Sequence, residues 1–103
     1  MPLFQRAADI DPASGGLQRN LATALYDTHD LDGAVAHARQ AIVLRPGDAQ
    51  AYDLLGRALF EQGHVEPALA QLEQAARLAP DDAEIRGHLA RALRFHSSAK
   101  SPA

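Results

Sequence analysis

A chain of 103 residues has room for one folded core and not for two. Its formal net charge of −3, with no basic run, speaks against a nucleic-acid partner. Zero cysteines exclude disulfides, thiolate metal sites and a cysteine nucleophile. No stretch reaches the roughly 18 continuous apolar residues of a membrane span. The start, MPLFQRAADIDP, lacks the charged region, apolar run and cleavage site of a signal peptide. A cytoplasmic location is the default that remains. The 47% of hydrophobic residues are dominated by alanine, which favours close helix packing over sheet.

In chain order, residues 3–11 (LFQRAADID) place Phe4, Ala7, Ala8 and Ile10 at helical spacing and predict a short helix. Residues 15–48 predict a pair of helices, with Ser14 placed to cap the first and Pro46 closing the pair. In residues 49–62, Tyr52, Leu55, Gly56 and Leu59 form one amphipathic stripe behind a capping Asp48. Gly63 breaks that pattern. Residues 66–78 then carry Ala68, Leu69, Leu72, Ala75, Ala76 and Leu78 on a facing stripe. Pro67 is harmless near that helix's start, where its missing N–H had no intrahelical acceptor. Pro80 ends the pair, Asp81 or Asp82 can cap the next helix, and residues 83–95 predict that helix. The polar, Pro-ended residues 97–103 are expected to be a disordered tail.

A fixed period underlies these elements. Pro12, Pro46 and Pro80 are 34 residues apart, and the same shift aligns Leu21, Leu55 and Leu89, then Ala24, Ala58 and Ala92, then Leu25, Leu59 and Leu93. Residues 15–48 and 49–82 share ten identities, too many for chance to keep in register with three prolines. Ala22, Gly56 and Ala90 are the small sites at which each first helix approaches its partner, and Ala34 and Ala68 are the reciprocal sites. Tyr52, Leu55-Gly56, Leu59, Gly63, Ala68, Leu72, Ala75 and Pro80 make residues 49–82 resemble the tetratricopeptide repeat. Residues 15–48 depart from it where Gln18 replaces a large aromatic, His29 the turn glycine and Ala38 a larger apolar residue. The resemblance implies an all-α fold, a right-handed superhelix of stacked antiparallel pairs. The expected division of domain 1–96 is a half-unit at 3–14, units at 15–48 and 49–82, and a half-unit at 83–96. Half-units at both ends are what a piece of a longer chain would carry.

Five histidines raise the question of a metal. His29 and His64 fall in turns, His37 on an outward face, His88 on the inner face and His96 at a helix end, none with a zinc-site partner at i, i+4. The run Asp27-Thr28-His29-Asp30 has the residue types of a catalytic site. It aligns with a turn, Glu61 to His64, and no nucleophile with an orienting base lies near. Neither a metal, a cofactor nor an enzymatic activity is expected.

The resemblance also implies a concave groove, lined by first helices, that receives a peptide or helix of a partner. The residues facing it are expected to be Arg19, Asn20, Thr23 and Tyr26, then Asp53, Leu54, Arg57 and Phe60, with Glu61 beside them, then His88, Arg91 and Arg94 with Glu84. Thr23, Arg57 and Arg91 form one column and Tyr26, Phe60 and Arg94 another. Guanidinium groups beside aromatic rings suit carboxylate recognition. Of the set that grips chaperone C-terminal carboxylates, Arg19 alone fits, with Thr23, Leu54 and Glu84 where Asn, Asn and Lys are needed and His88 in place of an Arg. That argues against a chaperone-tail adaptor. The leading expectation is a protein-interaction module. The alternatives are the repeat arm of a longer enzyme, glycosyltransferase- or sulfatase-like, and weak end-to-end self-association.

Overall fold

A computed structural model describes residues 14–100, with side chains to residue 98. The expected helix at 3–11 and Pro12 lie outside these residues. Within them run five helices: α1 (Gly15–Asp27), α2 (Leu31–Leu44), α3 (Ala49–Glu61), α4 (Val65–Leu78) and α5 (Ala83–Lys100). No strand occurs among the described residues, so the fold is all-α, as the period implied.

The helices begin where short polar side chains satisfy the free N–H groups of the first turn. Ser14 Oγ accepts from Leu17 N at 3.3 Å, and Asp30 Oδ1 accepts from Gly33 N at 3.0 Å. Asp48 Oδ1 takes two donors, Gln50 N at 3.1 Å and Ala51 N at 3.3 Å. Of the two aspartates before α5, Asp82 is the cap, accepting from Ile85 N at 3.1 Å. α4 differs. His64 precedes it without a side-chain cap bond, and Pro67 removes the N–H at the third position, which serves Asp30 in α2 and Asp82 in α5.

Two turns use left-handed backbone. Gly63 has φ +93° and His29, its counterpart one period earlier, φ +69°. The repeat therefore keeps the turn conformation even where it loses the glycine. Histidine tolerates this region better than most side chains, though at some strain.

α1 and α2 pair, α3 and α4 pair, and α5 lies on α4. The crossings are close because the residues at them are small. A Cβ built on Gly56 would stand 2.6 Å from Leu72 Cγ and 3.2 Å from the Ala68 carbonyl oxygen. Ala22, Ala34, Ala38, Ala41, Ala51, Ala58, Ala68 and Ala75 are fully buried. One apolar cluster joins Ala22, Ala38, Leu54, Leu55, Leu59 and Ala68, and a second joins Leu69, Leu72 and Ala92. Phe60 packs against both. Each fully buried leucine contributes roughly 1.5–3 kcal/mol, which stacking must supply because isolated 13-residue helices are marginal.

Three expectations need correcting here. The tail expected from Ser97 is helical as far as Lys100. Nothing in Ser97-Ser98-Ala99-Lys100 blocks a helix already nucleated, and the first proline comes only at Pro102. His37 does not simply face outward: its Nδ1 lies 2.7 Å from Gln18 Oε1. Gln18, standing where the repeat has an aromatic ring, is buried and needs a polar partner. Leu54 is a core residue, 2% exposed. Its counterparts, Asn20 and His88, lie on the outer two first helices, whereas α3 has neighbours on both sides.

Candidate functional site

α1, α3 and α5, the first helices of successive units, present residues to one shared face. There Tyr26, Arg57, Phe60, Glu61, Leu72, His88, Arg91 and Ala92 line a half-open cleft. Its enclosed space is about 20 Å³, little more than a water molecule needs, and the cleft is partly open to solvent.

Two cations lie over two rings. Arg57 Cζ is 4.9 Å from the centre of the Tyr26 ring, and Arg91 Cζ is 5.6 Å from that of Phe60. Both are within cation–π range. Phe60 is also met edge-on by Phe95, with centroids 5.3 Å apart and rings at 79°. The Tyr26 hydroxyl donates to Glu61 Oε2 at 2.5 Å, bridging α1 and α3. Burial holds the Tyr26 phenol above its ordinary pKa of 10.0, the Glu61 hydrogen bond and charge add to this, and Arg57 and Arg91 oppose it.

Beneath the cleft sits Asp53, 2% exposed. His88 Nδ1 lies 2.9 Å from Oδ1 and 3.1 Å from Oδ2, so the carboxylate fixes the proton on Nδ1. Arg57 Nε is 3.1 Å from Oδ2, yet too poorly aligned to hydrogen bond, and Nε has no other partner. One buried carboxylate thus ties α3 to α5 and holds Arg57 in place. Arg91 is different: among the described residues it has the Phe60 ring and no carboxylate partner.

The expected groove residues therefore separate. Tyr26, Arg57, Phe60, His88 and Arg91 converge on the cleft. Asp53 and Leu54 are buried and do not project into it, a correction to the periodic reading. Arg19 is occupied, its Nη1 lying 3.2 and 3.1 Å from the two oxygens of Asp48, the α3 cap. Asn20 and Thr23 are exposed, and the Thr23 hydroxyl donates back to the Arg19 carbonyl at 3.0 Å. Arg94 is exposed and lines no part of the cleft; its neighbour Phe95 is what reaches Phe60. Leu72 and Ala92, which the sequence marks only as core positions, form part of the cleft wall.

Comparison with known families decides the kinship. A tetratricopeptide repeat model matches residues 2–49 and 19–66, and a second matches residues 49–92. The chain belongs to the tetratricopeptide repeat family. No curated protein matches it. Among solved structures, it is similar to the first tetratricopeptide domain of Spaghetti (RPAP3) bound to the HSP90 peptide SRMEEVD. That pair has TM-score 0.82 and 24% identity over 90% of this chain and 74% of the other. It is also similar to the C-terminal domain of a putative FK506-binding protein of Plasmodium falciparum (TM-score 0.78, 27% identity, 84% of this chain and 57% of the other). A third likeness is to a mutant O-GlcNAc transferase of Thermobaculum terrenum, with TM-score 0.82 and 27% identity over 88% of this chain and 18% of that one. No described helix is long and apolar enough to cross a membrane.

Proposed function

We propose that this tetratricopeptide chain is a protein-interaction module that takes an acidic peptide segment along the face of α1, α3 and α5. The observation that carries the reading is Arg91, a cation held over the Phe60 ring at the cleft without a carboxylate of its own. Arg57 stands beside it, its guanidinium over the Tyr26 ring and its Nε turned to Asp53. A ligand carboxylate suits the unpaired Arg91, and rings supply rigid contact area. The RPAP3 domain's acidic peptide is in keeping with that class of ligand. The mode of capture differs, because Arg19 is paired with Asp48 and the remaining clamp positions carry Thr23, Leu54, Glu84 and His88.

An array of seven-residue peptides, acidic and neutral and including SRMEEVD, tests the reading. Acidic members should bind, and Arg57→Ala with Arg91→Ala should weaken binding at least tenfold and flatten its salt dependence. Binding that ignores both substitutions would place the surface elsewhere. A second reading, the repeat arm of a longer enzyme, has its support in the likeness to the O-GlcNAc transferase. The sequence flanking the gene separates the two.

A further inference from the structure

α2 and α4, the second helices of the two units, both pack on α3 and hardly on each other. The space left between them is an open groove of about 420 Å³. Tyr52 and Leu55 of α3 line it together with Arg39, Ile42 and Val43 of α2 and Gln71 of α4. None of these residues lines the cleft described above. Leu55 belongs to the larger apolar cluster and Ile42 packs against that cluster, so the groove is continuous with the core.

The repeat gives no reason for the character of this lining. Val43 is 71% exposed, and one period later the same position is Arg77. Stacking therefore does not require an apolar side chain there. Arg39 becomes Glu73 over the same shift. Arg39 is the one charged side chain lining the groove, and among the described residues it has no carboxylate partner. Ile42, Val43, Leu55 and the Tyr52 ring offer an apolar bed, and Arg39 adds a free cation. That combination suits a ligand that brings apolar side chains and one carboxylate. A gap between two helices packed on a third accepts the side-chain ridge of a further helix.

We propose that the α2–α4 groove is a second docking surface, which takes an amphipathic helix of a partner protein through its apolar stripe and a flanking acidic residue that pairs with Arg39. The stripe rests on Ile42, Val43, Leu55 and the Tyr52 ring. This surface is independent of the cleft along α1, α3 and α5, so the chain can hold two partner segments at once.

The probe is a panel of synthetic helical peptides with leucines at i, i+3 and i+7 and one glutamate on the flank of that stripe, moved through the panel, each paired with a version carrying glutamine instead. Backbone chemical-shift mapping of the full chain should place the shifts at Ile42, Val43, Tyr52 and Gln71. The best acidic peptide should bind about threefold tighter than its glutamine version, the effect of an exposed ion pair, and Arg39→Gln should remove that preference. Val43→Glu, which sets a charge against the apolar stripe, should weaken every peptide by about tenfold while circular dichroism shows the helices intact. Failure of the whole panel to bind, shifts confined to Tyr26, Phe60 and Arg91, or binding indifferent to Val43→Glu overturns the proposal. So does a peptide-free chain that dimerises and becomes monomeric on Val43→Glu, which would give the groove to a second copy.

Discussion

Gly56 and Gly63 are both glycines of one unit, for unlike reasons. Gly56 has ordinary helical backbone and no room, since its missing Cβ is the space Leu72 fills. Gly63 has room, with nothing within 4 Å of an added Cβ, and a left-handed φ of +93°. Gly56→Leu should therefore cost about 1–3 kcal/mol by overpacking, and Gly63→Leu about 1–2 kcal/mol by backbone strain. Thermal melts by circular dichroism measure both. His29→Gly removes the same strain and should raise the midpoint by a small amount, offset in part by the entropy of the unfolded chain. Tyr26 adds a pH dependence. Its phenol pKa is raised on folding by burial and then by Glu61. The stability this contributes is complete below the unfolded value of 10.0 and is lost as pH rises through the raised one. Tyr26→Phe should remove that part of the alkaline loss, read from melts between neutral pH and pH 11. The period makes Arg57, Phe60 and Arg91 legible as residues of one face. It cannot show that Arg19 and Arg57 have carboxylates while Arg91 has none, because pairing depends on which rotamers the neighbouring helix allows.

Helix starts separate the elements more sharply than helix interiors do. Asp48 accepts two backbone N–H groups and holds Arg19, so Asp48→Ala should cost about 1–2 kcal/mol, the upper part of the range for N-caps. His64 and Asp30 share nearly the same backbone, with φ −87° and −85° and ψ 73° and 80°. Only the aspartate caps, and Pro67 removes the donor a cap at residue 64 would most simply use. The gain from His64→Asp should thus be larger by about 0.5–1 kcal/mol in a Pro67→Ala background. A double-mutant cycle in chemical denaturation measures that coupling, and strict additivity would contradict it. Helix order and most boundaries were legible because prolines, caps and apolar stripes agree at each junction. The C-terminal end of α5 was not, since Ser, Ser, Ala and Lys neither extend nor stop a helix by themselves, and the helix continues by default.

At the scale of the whole molecule, periodicity describes an infinite stack, and the departures from it come from α3 having neighbours where α1 and α5 have fewer. Leu54 is buried for that reason while Asn20 and His88 are not. The edge-on contact of Phe95 with Phe60 has no periodic counterpart, because Asp27 and Glu61 occupy the equivalent places. α3 touches each of the other four described helices, and this has a consequence for how the native state breathes. Opening costs scale with the surfaces released, so the outer helices can detach while α3 remains covered, but α3 cannot be released before them. Amide hydrogens across Leu54–Leu59 should exchange only when the entire chain unfolds, with protection equal to the global stability. Those beyond Phe95 in α5 should exchange orders of magnitude faster. The residues that hold the cleft, Asp53, Arg57 and Phe60, ride on the slowest-exchanging helix, while Arg91 and His88 ride on a more labile one. The cleft of the proposed module would consequently have a fixed wall and a wall that can lift away, so a peptide is expected to enter from the α5 side.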